Sequence, residues 1–224
     1  MEKAMALAIV QEVKYNKQFF GLLVLFLSAG IMLELVVGST DFSLWMNAQH
    51  TAFGDVFFRF ATYLGDGVLV GIIILLLLFV RCRYAFLMLV AMVLNTAVIQ
   101  WLKHFYNHPR PSLVFQDLSL QYVEGVKLYQ HFGFPSGHTA AAFGVYTLLA
   151  LFSGNKISGW MYGATAILVG LSRIYLMQHF LEDVLLGATI GSGISFLIYL
   201  GFRNNKTLQQ GWWNRPVTAA FRKK

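Results

Sequence analysis

The residues of this chain that are best suited to chemistry begin with a short polar stretch leading directly into a long apolar run. The stretch occupies residues 134–139, and the apolar run continues over residues 140–152. Ser136 is a favourable N-cap, because its hydroxyl accepts a hydrogen bond from the first helical turn, and Gly137 lets a ligand approach the backbone. The free N–H groups and the helix dipole favour an anion at such a helix start, with His138 at its mouth. Taken alone, the stretch also fits a plain helix cap with an incidental histidine.

Two further stretches supply cations and a second histidine. Lys103 closes one apolar segment, and Arg110 follows it seven residues later. Arg173 precedes His179, and Asp183 lies four positions after that histidine. Because residues four apart share a helix face, the Asp183 carboxylate is expected to hold the His179 imidazole. Cations, histidines and a carboxylate at the ends of apolar segments indicate a phosphate-binding site.

The order and spacing of these residues resemble the three signature motifs of the type 2 phosphatidic acid phosphatase superfamily. The motifs read Lys-x6-Arg-Pro from Lys103, Pro-Ser-Gly-His ending at His138, and Ser-Arg-x5-His-x3-Asp ending at Asp183. Every motif position matches, and the resemblance directly covers the C-terminal half of the chain. This superfamily includes membrane lipid phosphatases and, more distantly, soluble vanadium haloperoxidases.

The resemblance implies a role for each residue of the predicted site. His179 is the expected nucleophile, which forms a phosphohistidine that water then hydrolyses. Asp183 is expected to orient His179, and His138 to act as the general acid. The predicted phosphate-binding residues are Lys103, Arg110, Ser136, Gly137 and Arg173. A metal site built from the His and Asp residues is the rival interpretation, but three cations would repel a divalent ion. We therefore predict neither a metal nor a cofactor.

The composition indicates a membrane protein with a single domain, taken as residues 1–224. Hydrophobic residues make up 57% of the chain and charged residues 12%, with a mean hydropathy of +0.60, whereas typical soluble domains are about 25% charged. The formal net charge of +7 does not indicate a nucleic-acid partner, because the basic residues lie mostly at the ends of apolar segments. The expected partners are a lipid substrate and membrane lipids, and the sequence does not predict an oligomeric state.

Six apolar runs approach the length of about 20 residues that a helix needs to span a bilayer. They cover residues 19–37, 65–80, 84–102, 137–152, 157–174 and 179–202. We therefore predict an all-α, six-helix transmembrane bundle, whose short second and fourth runs extend into flanking residues. Apolar residues between 41 and 63 recur at helical spacing and predict a short interfacial helix on the outer face; they are Phe53, Val56, Phe57 and Phe60. Residues 105–133 are expected to pack over the outer helix ends.

The distribution of basic residues predicts the orientation of the bundle. Six spans place both termini on one side, and that side carries twelve of the 17 basic residues: Lys3, Lys14, Lys17, Arg81, Arg83, Lys156, Arg203, Lys206, Arg215, Arg222, Lys223 and Lys224. The other five are Arg59, Lys103, Arg110, Lys127 and Arg173. Because cytoplasmic loops are enriched in Lys and Arg, we predict cytoplasmic termini. The active site then lies on the periplasmic or extracellular face of a bacterial inner membrane.

Small residues continue the spacing of the predicted catalytic pair along the last run. Gly187, Gly191 and Ser195 follow Asp183 at intervals of four residues. Small residues at this interval let helices approach closely in lipid. We therefore predict that His179 and Asp183 face the bundle and not the lipid.

These features predict an integral membrane phosphatase that acts on a lipid phosphate or pyrophosphate monoester. The resemblance suggests an undecaprenyl pyrophosphate, phosphatidate, phosphatidylglycerol phosphate or lipid A type substrate, and the sequence does not select among them. Two alternatives stay open, a lipid phosphotransferase with the same intermediate and a non-catalytic protein that binds or transports lipid phosphates. A binding protein does not need a nucleophile with an orienting carboxylate, which favours an enzyme.

Overall fold

The computed structural model describes residues 2–220, with side-chain placement for residues 6–219. Across this range the chain is helical and has no β-strand, which confirms the all-α part of the predicted fold class. Its α-helices are α1 (Glu2–Tyr15), α2 (Lys17–Val36), α3 (Ser39–Ala48), α4 (Ala52–Ala61), α5 (Gly67–Leu78), α6 (Cys82–Tyr106), α7 (Pro111–Val114), α8 (Gly137–Ser153), α9 (Lys156–Tyr175), α10 (Leu181–Phe202) and α11 (Lys206–Gln209). Three basic residues used for the predicted orientation, Arg222, Lys223 and Lys224, lie outside the described range, as do both ends of the domain predicted for 1–224.

Each of the six predicted apolar runs forms the body of one helix: α2, α5, α6, α8, α9 and α10. Within the described range, three segments are long and apolar enough by themselves to cross a membrane, namely α2, α10 and the stretch Cys82–Val114 that contains α6. The helix α8 is apolar but has only 17 residues. Length and composition therefore support a membrane protein, but they do not by themselves give the six predicted spans, because α5, α8 and the 20-residue α9 are not among these three segments.

The second predicted run departs most from the prediction, because the helix that it forms, α5, is shorter than the run, whereas we expected it to be longer. It covers Gly67–Leu78, whereas the prediction was residues 65–80 with extension on either side. The Asp66 side chain caps the helix start by accepting a hydrogen bond of 2.8 Å from the Val68 N–H. A bend of 49° separates α5 from the preceding helical segment Ala52–Gly65, and the bent pair counted together would make a fourth span.

The predicted short helix between residues 41 and 63 is present as α4. Its four predicted apolar side chains are all exposed, from Phe57 at 41% to Phe53 at 79%. A partly buried polar contact anchors this helix to the end of α9, because Asp55 pairs with His50 at 3.0 Å and accepts a hydrogen bond of 2.8 Å from the Tyr175 hydroxyl. The helix therefore presents an apolar face outward while its other face is fixed to the bundle.

The helix α8 is the central element, buried along most of its length among α6, α9 and α10. Its closest neighbour is α10, where small residues permit the approach. A Cβ atom at Gly187 would lie 2.6 Å from the Ser136 carbonyl oxygen, and one at Gly191 would overlap the Ala140 carbonyl group. The predicted close-contact seam along the last helix is therefore present.

Gly191→Ala is expected to destabilise the protein, whereas Gly193→Ala on the same helix is the matched control. The new methyl group at 191 meets the Ala140 backbone, which has no flexible end to move aside. Among the described residues, no atom lies within 4 Å of a Cβ at 193. Overpacking costs about 1–3 kcal/mol, so the melting temperature in detergent should fall for Gly191→Ala only. Equal melting temperatures for the two variants would contradict the close contact.

The long segment between α6 and α8 packs over one end of the bundle, as predicted, and contains only one short helix, α7. It is held to α3 by the Asn47 amide, which exchanges hydrogen bonds of 2.7 and 3.0 Å with the Gln121 backbone. It is also held to the loop after α9, where Gln178 donates to the Lys127 carbonyl at 3.2 Å. The segment therefore forms a fixed cover over the helix ends.

Candidate active site

All predicted site residues lie together at one end of α8. Lys103 comes from the end of α6 and Arg173 from the last turn of α9, while Arg110 directly precedes α7. Each of these cations is at most 9% exposed, although Lys and Arg are rarely buried without a partner. Uncompensated buried charges are strongly unfavourable. The arrangement therefore indicates a site for an anion.

His179 lies between a carboxylate and a guanidinium. Its Nδ1 is 3.2 Å from Asp183 Oδ2, and its Nε2 is 3.4 Å from Arg110 Nη1. The His179 side chain is 2% exposed and that of Asp183 is fully buried. The carboxylate favours the tautomer with its hydrogen on Nδ1, so the lone pair of Nε2 is directed at the cationic side of the site.

The predicted contact between His179 and Asp183 is present, but the helical spacing given as its reason is wrong. The helix α10 begins at Leu181 and not at 179, so His179 lies in the preceding loop. Asp183 is in the first turn of α10, and its Oδ2 also accepts a hydrogen bond of 2.9 Å from the Phe180 N–H. Because side chains of a helix point back toward its N-terminus, the carboxylate caps α10 and reaches the loop that carries the histidine.

Backbone carbonyl groups of the covering segment orient two of the cations, which the sequence did not predict. Arg110 donates from Nε to the His131 carbonyl at 2.9 Å and from Nη2 to the Phe132 carbonyl at 3.3 Å. Its Nη1 donates to the Gln178 carbonyl at 3.0 Å. Lys103 donates to the same Phe132 carbonyl at 2.5 Å. Phe132 has a φ of 56°, which is uncommon for a residue other than glycine, so the loop is strained where its carbonyl meets both cations.

The start of α8 has the capping geometry predicted for Ser136. The Ser136 hydroxyl accepts hydrogen bonds from the Thr139 N–H at 3.4 Å and the Thr139 hydroxyl at 2.8 Å. The Ser136 N–H donates to the Asp183 carbonyl at 2.9 Å, which ties the start of α8 to the start of α10. Gly137 and His138 form the first turn, where the helix itself offers no carbonyl partners for their N–H groups. The positive end of α8 therefore faces the site.

Two residues just before α5 also contact the site, and the sequence analysis missed both. Arg173 Nη1 donates to the Thr62 hydroxyl at 2.7 Å. Asp66 Oδ2 lies 3.6 Å from His138 Nε2. The only signal available was an Asp in front of an apolar run, which indicates a helix cap. Its contact with His138 depends on the packing of elements far apart in the chain.

A cavity of about 210 Å³ adjoins His138 between α5, α6 and α8. Apolar side chains such as Met92 and Ile99 contribute to its wall, and Asn95 and Gln100 add polar groups. The backbone of Gly137 lines the same cavity. A partly apolar space therefore lies directly beside the first turn of α8 and His138.

Among the described residues, one group of possible metal ligands lies at the edge of the site. His108, Glu182 and Asp183 each place a ligand atom within 4.8 Å of the others. The side chains of His108 and Glu182 are each 41% exposed, and the Asp183 carboxylate already bonds His179 and Phe180 through one oxygen. Because the adjacent cations repel further positive charge, we do not assign a metal to this group, and a chelator experiment below tests that choice.

The fold and the site define a class of protein, namely a helical membrane protein with a cationic, histidine-containing site at one end of its bundle. A sequence profile described as PAP2 superfamily matches residues 82–207, which is more than half of the chain. The chain therefore belongs to the PAP2 superfamily, as its three motifs indicated.

Several characterised proteins are similar to this chain. Phosphatidylglycerophosphatase B of Bacillus subtilis is 40% identical over 76 residues, or 30% of this chain and 37% of that protein. The chain thus aligns with well under half of that curated relative. The crystal structure of Aquifex aeolicus LpxE superposes with a TM-score of 0.64 at 29% identity, covering 70% of this chain and 92% of that one. A PAP2-type phosphatidylglycerolphosphate phosphatase of Bacillus subtilis shares the fold, with a TM-score of 0.63 at 23% identity over 84% of this chain and 97% of that one.

Proposed function

We propose that this protein hydrolyses a phosphate or pyrophosphate monoester carried by a lipid. The observation that carries the proposal is the placement of His179, whose Nδ1 is held by Asp183 while its Nε2 faces Arg110. A nucleophile oriented by a carboxylate and directed at a cationic site serves covalent catalysis. A lipid substrate is supported by the relatives, because phosphatidylglycerophosphatase B is named for a lipid phosphate.

In the proposed reaction, Nε2 of His179 attacks phosphorus, so that a P–N bond forms while the bond to the leaving oxygen breaks. Lys103, Arg110 and Arg173 neutralise charge on the non-bridging oxygens, for which the planar guanidinium is well suited. His138 donates a proton to the leaving oxygen. Water then attacks the phosphohistidine and gives a proton to His138, and inorganic phosphate leaves. The reaction uses no metal or cofactor.

The cavity beside His138 supports a substrate with an apolar part next to its leaving oxygen. Its wall includes Met92 and Ile99 and lies between helices that we place in the membrane. A lipid anchored in the bilayer would then present its phosphate to the cationic residues from this side. Undecaprenyl pyrophosphate, phosphatidate, phosphatidylglycerol phosphate and lipid A type molecules are the candidate substrates.

The same proposal includes a membrane arrangement for one domain. The helices α2, α5, α6, α8, α9 and α10 cross a bacterial inner membrane as six spans, with both termini in the cytoplasm. The exposed apolar face of α4, which carries Phe53 and Phe60, lies in the outer interface. The native Cys82 is buried and cannot report on sidedness. In a Cys82→Ser background, a membrane-impermeant thiol reagent should label a cysteine at Gln116 in intact cells, and one at Lys206 only after lysis. The opposite pattern would invert the topology.

The test of the proposed activity is phosphate release from a panel of lipid phosphates and pyrophosphates by purified protein in detergent. Release should persist in EDTA and be inhibited by vanadate, which resembles the five-coordinate transition state. Loss of activity in EDTA with recovery on adding a divalent ion would contradict the metal-free mechanism. Binding without release from any substrate would favour a binding protein, and transfer to an added alcohol would indicate a phosphotransferase.

His179 is expected to be neutral near pH 7. Burial lowers its pKa well below the ordinary value of 6.5, and the positive charges of Arg110 and Arg173 lower it further. Burial also lowers the pKa of Arg110, against the opposing effect of Asp183, but arginine stays protonated at neutral pH. The resting site therefore combines a free imidazole lone pair with a cation beside it.

Because the pKa of His179 is lowered, we expect the acid limb of the kcat/KM profile to lie below pH 6.5. Protonation of Nε2 inactivates the nucleophile, and this occurs only when the pH falls through the lowered pKa. The decline in activity caused by protonation of His179 should thus appear only below pH 6.5. The profile is measured on a substrate whose own phosphate ionisation has been titrated separately, since that group also ionises near pH ~6. An acid limb that still lies above pH 6.5 after correction for the ionisation of the substrate would contradict the prediction.

A further inference from the structure

A short segment in front of α5 contacts two of the site residues, although it precedes the part of the chain that matches the PAP2 profile. The segment runs from Thr62 to Asp66, whereas the profile begins at residue 82. Its first residue accepts a hydrogen bond from Arg173, and its last lies against His138. Both contacts join residues more than 70 positions apart in sequence, so the fold brings this segment to the site.

The two carboxylate oxygens of Asp66 face different groups. Oδ1 accepts the capping hydrogen bond of 2.8 Å from the Val68 N–H. Oδ2 lies 3.6 Å from Nε2 of His138, which is an ion-pair distance and longer than a hydrogen bond. Catalytic hydrogen bonds are often long in a ligand-free site and shorten when substrate binds. The cap fixes the carboxylate in a place where it can pair with the imidazolium of His138.

Close packing at Gly65 holds the segment against the start of α8. A Cβ atom at this position would lie 2.7 Å from the His138 carbonyl oxygen and 2.6 Å from the Val169 side chain. The contact therefore requires glycine, and it places Asp66 beside His138 independently of any charge attraction. Thr62 adds a second fixed point, because its hydroxyl accepts a hydrogen bond of 2.7 Å from buried Arg173.

We infer that Asp66 is a positioning residue for the general acid His138. The inference rests on the proposed phosphatase function and extends it to a residue outside the three motifs. Asp66 holds the Nε2–H of His138, fixes the orientation of the ring and stabilises the imidazolium, as Asp183 does for His179. The site then contains two carboxylate–imidazole pairs, one for the nucleophile and one for the acid.

With Nε2 of His138 assigned to Asp66, the proposed step uses Nδ1 as the proton donor. The form of His138 that reacts is the imidazolium, with hydrogens on both nitrogens and its Nε2–H directed at Asp66. As the phosphoryl group moves to His179, the Nδ1 proton of His138 passes to the leaving oxygen. His138 is then neutral, with its remaining hydrogen still on Nε2. When water attacks the phosphohistidine, Nδ1 takes up one proton and the imidazolium is restored.

The test is Asp66→Asn, because Asn caps a helix about as well as Asp but carries no charge. Turnover should fall roughly ten- to hundred-fold on alkyl phosphates, by analogy with the loss of a partner that orients a metal-bound imidazole. The loss should shrink on aryl phosphates and pyrophosphates, whose leaving groups need little protonation. KM should be unchanged, because the cationic residues are intact. Asp66→Ser, which also retains a capping side chain, should behave in the same way.

Asp41→Asn is the matched control, since Asp41 is an exposed carboxylate in the first turn of another helix, α3. It should leave turnover unchanged on every substrate. In a His138→Ala background, Asp66→Asn should cause no additional loss, because the residue acts only through that histidine. Melting temperatures of all variants are measured alongside.

Two results would overturn the inference, and they are distinct from failure of the proposed function. One is an equal loss on alkyl and aryl substrates, which is the pattern expected if Asp66 only stabilises α5. The other is a further loss of Asp66→Asn in the His138→Ala background. If the unmodified protein releases phosphate from no substrate, the proposed function itself fails.

Discussion

His179→Ala should abolish phosphate release on every substrate. The imidazole is the group that accepts the phosphoryl, and no other nucleophile has the same position between Asp183 and Arg110 in the described part of the chain. Removing one member of such a catalytic set typically costs several powers of ten in kcat. Binding of a non-hydrolysable phosphonate lipid should largely survive, because all three cations remain. The measurement combines turnover with the affinity for that analogue.

Two further variants sharpen this result. Asp183→Asn should leave a small residual activity, since the nucleophile is present but its tautomer and orientation are no longer fixed. His50→Ala is the matched control, because His50 is also a buried histidine paired with an aspartate, Asp55, at 3.0 Å. Its loss should lower stability and leave the chemistry intact. A phosphorylated protein trapped during turnover should form in the unmodified chain but not in His179→Ala, and full activity of His179→Ala would end the phosphohistidine proposal.

His138→Ala should have the second largest effect, and the effect should depend on the substrate. General acid catalysis contributes about 10²–10⁴-fold, and an alkoxide leaving from a lipid monophosphate needs the proton most. A phosphate leaving from a pyrophosphate has a second pKa near ~6 and departs with little help. We therefore expect His138→Ala to lose most of this rate contribution on phosphatidate-like substrates and much less of it on pyrophosphates.

The experiment uses matched monophosphate and pyrophosphate lipids under conditions in which the chemical step is rate-limiting. His179→Ala serves as the reference, because it should be inactive on both members of each pair. A loss in His138→Ala that is equal on both members would mean that His138 binds phosphate and does not donate a proton. The same series also provides the background in which Asp66→Asn is tested.

The sequence was sufficient wherever a local signal decides the structure. Ser136 was predicted to cap the helix that follows it, and its hydroxyl does accept the Thr139 N–H. The repeat of small residues at Gly187 and Gly191 predicted the close contact that α10 makes with α8. Apolar runs predicted where the helices lie, and the motifs identified the superfamily, because these features depend on residue type and spacing along one segment.

Local signals were less reliable for the details of helix ends. The interval of four residues led to the correct contact between His179 and Asp183 for the wrong reason, since α10 begins only at Leu181. The run predicted at 65–80 became the shorter α5, because Asp66 caps its start and the chain bends before it. Hydropathy averages over several residues and does not register a single capping side chain.

Only the tertiary structure determined which groups surround the catalytic residues. The Phe132 carbonyl of the covering segment meets Lys103 and Arg110, and Asp66 meets His138 from the start of α5. A backbone carbonyl has no signature in the sequence, because every residue carries one. An aspartate in front of a helix has the same local pattern whether or not a histidine lies beside it. Such contacts arise when helices distant in sequence pack at one end of the bundle, and close packing at Gly65 and Gly191 sets the distances between them.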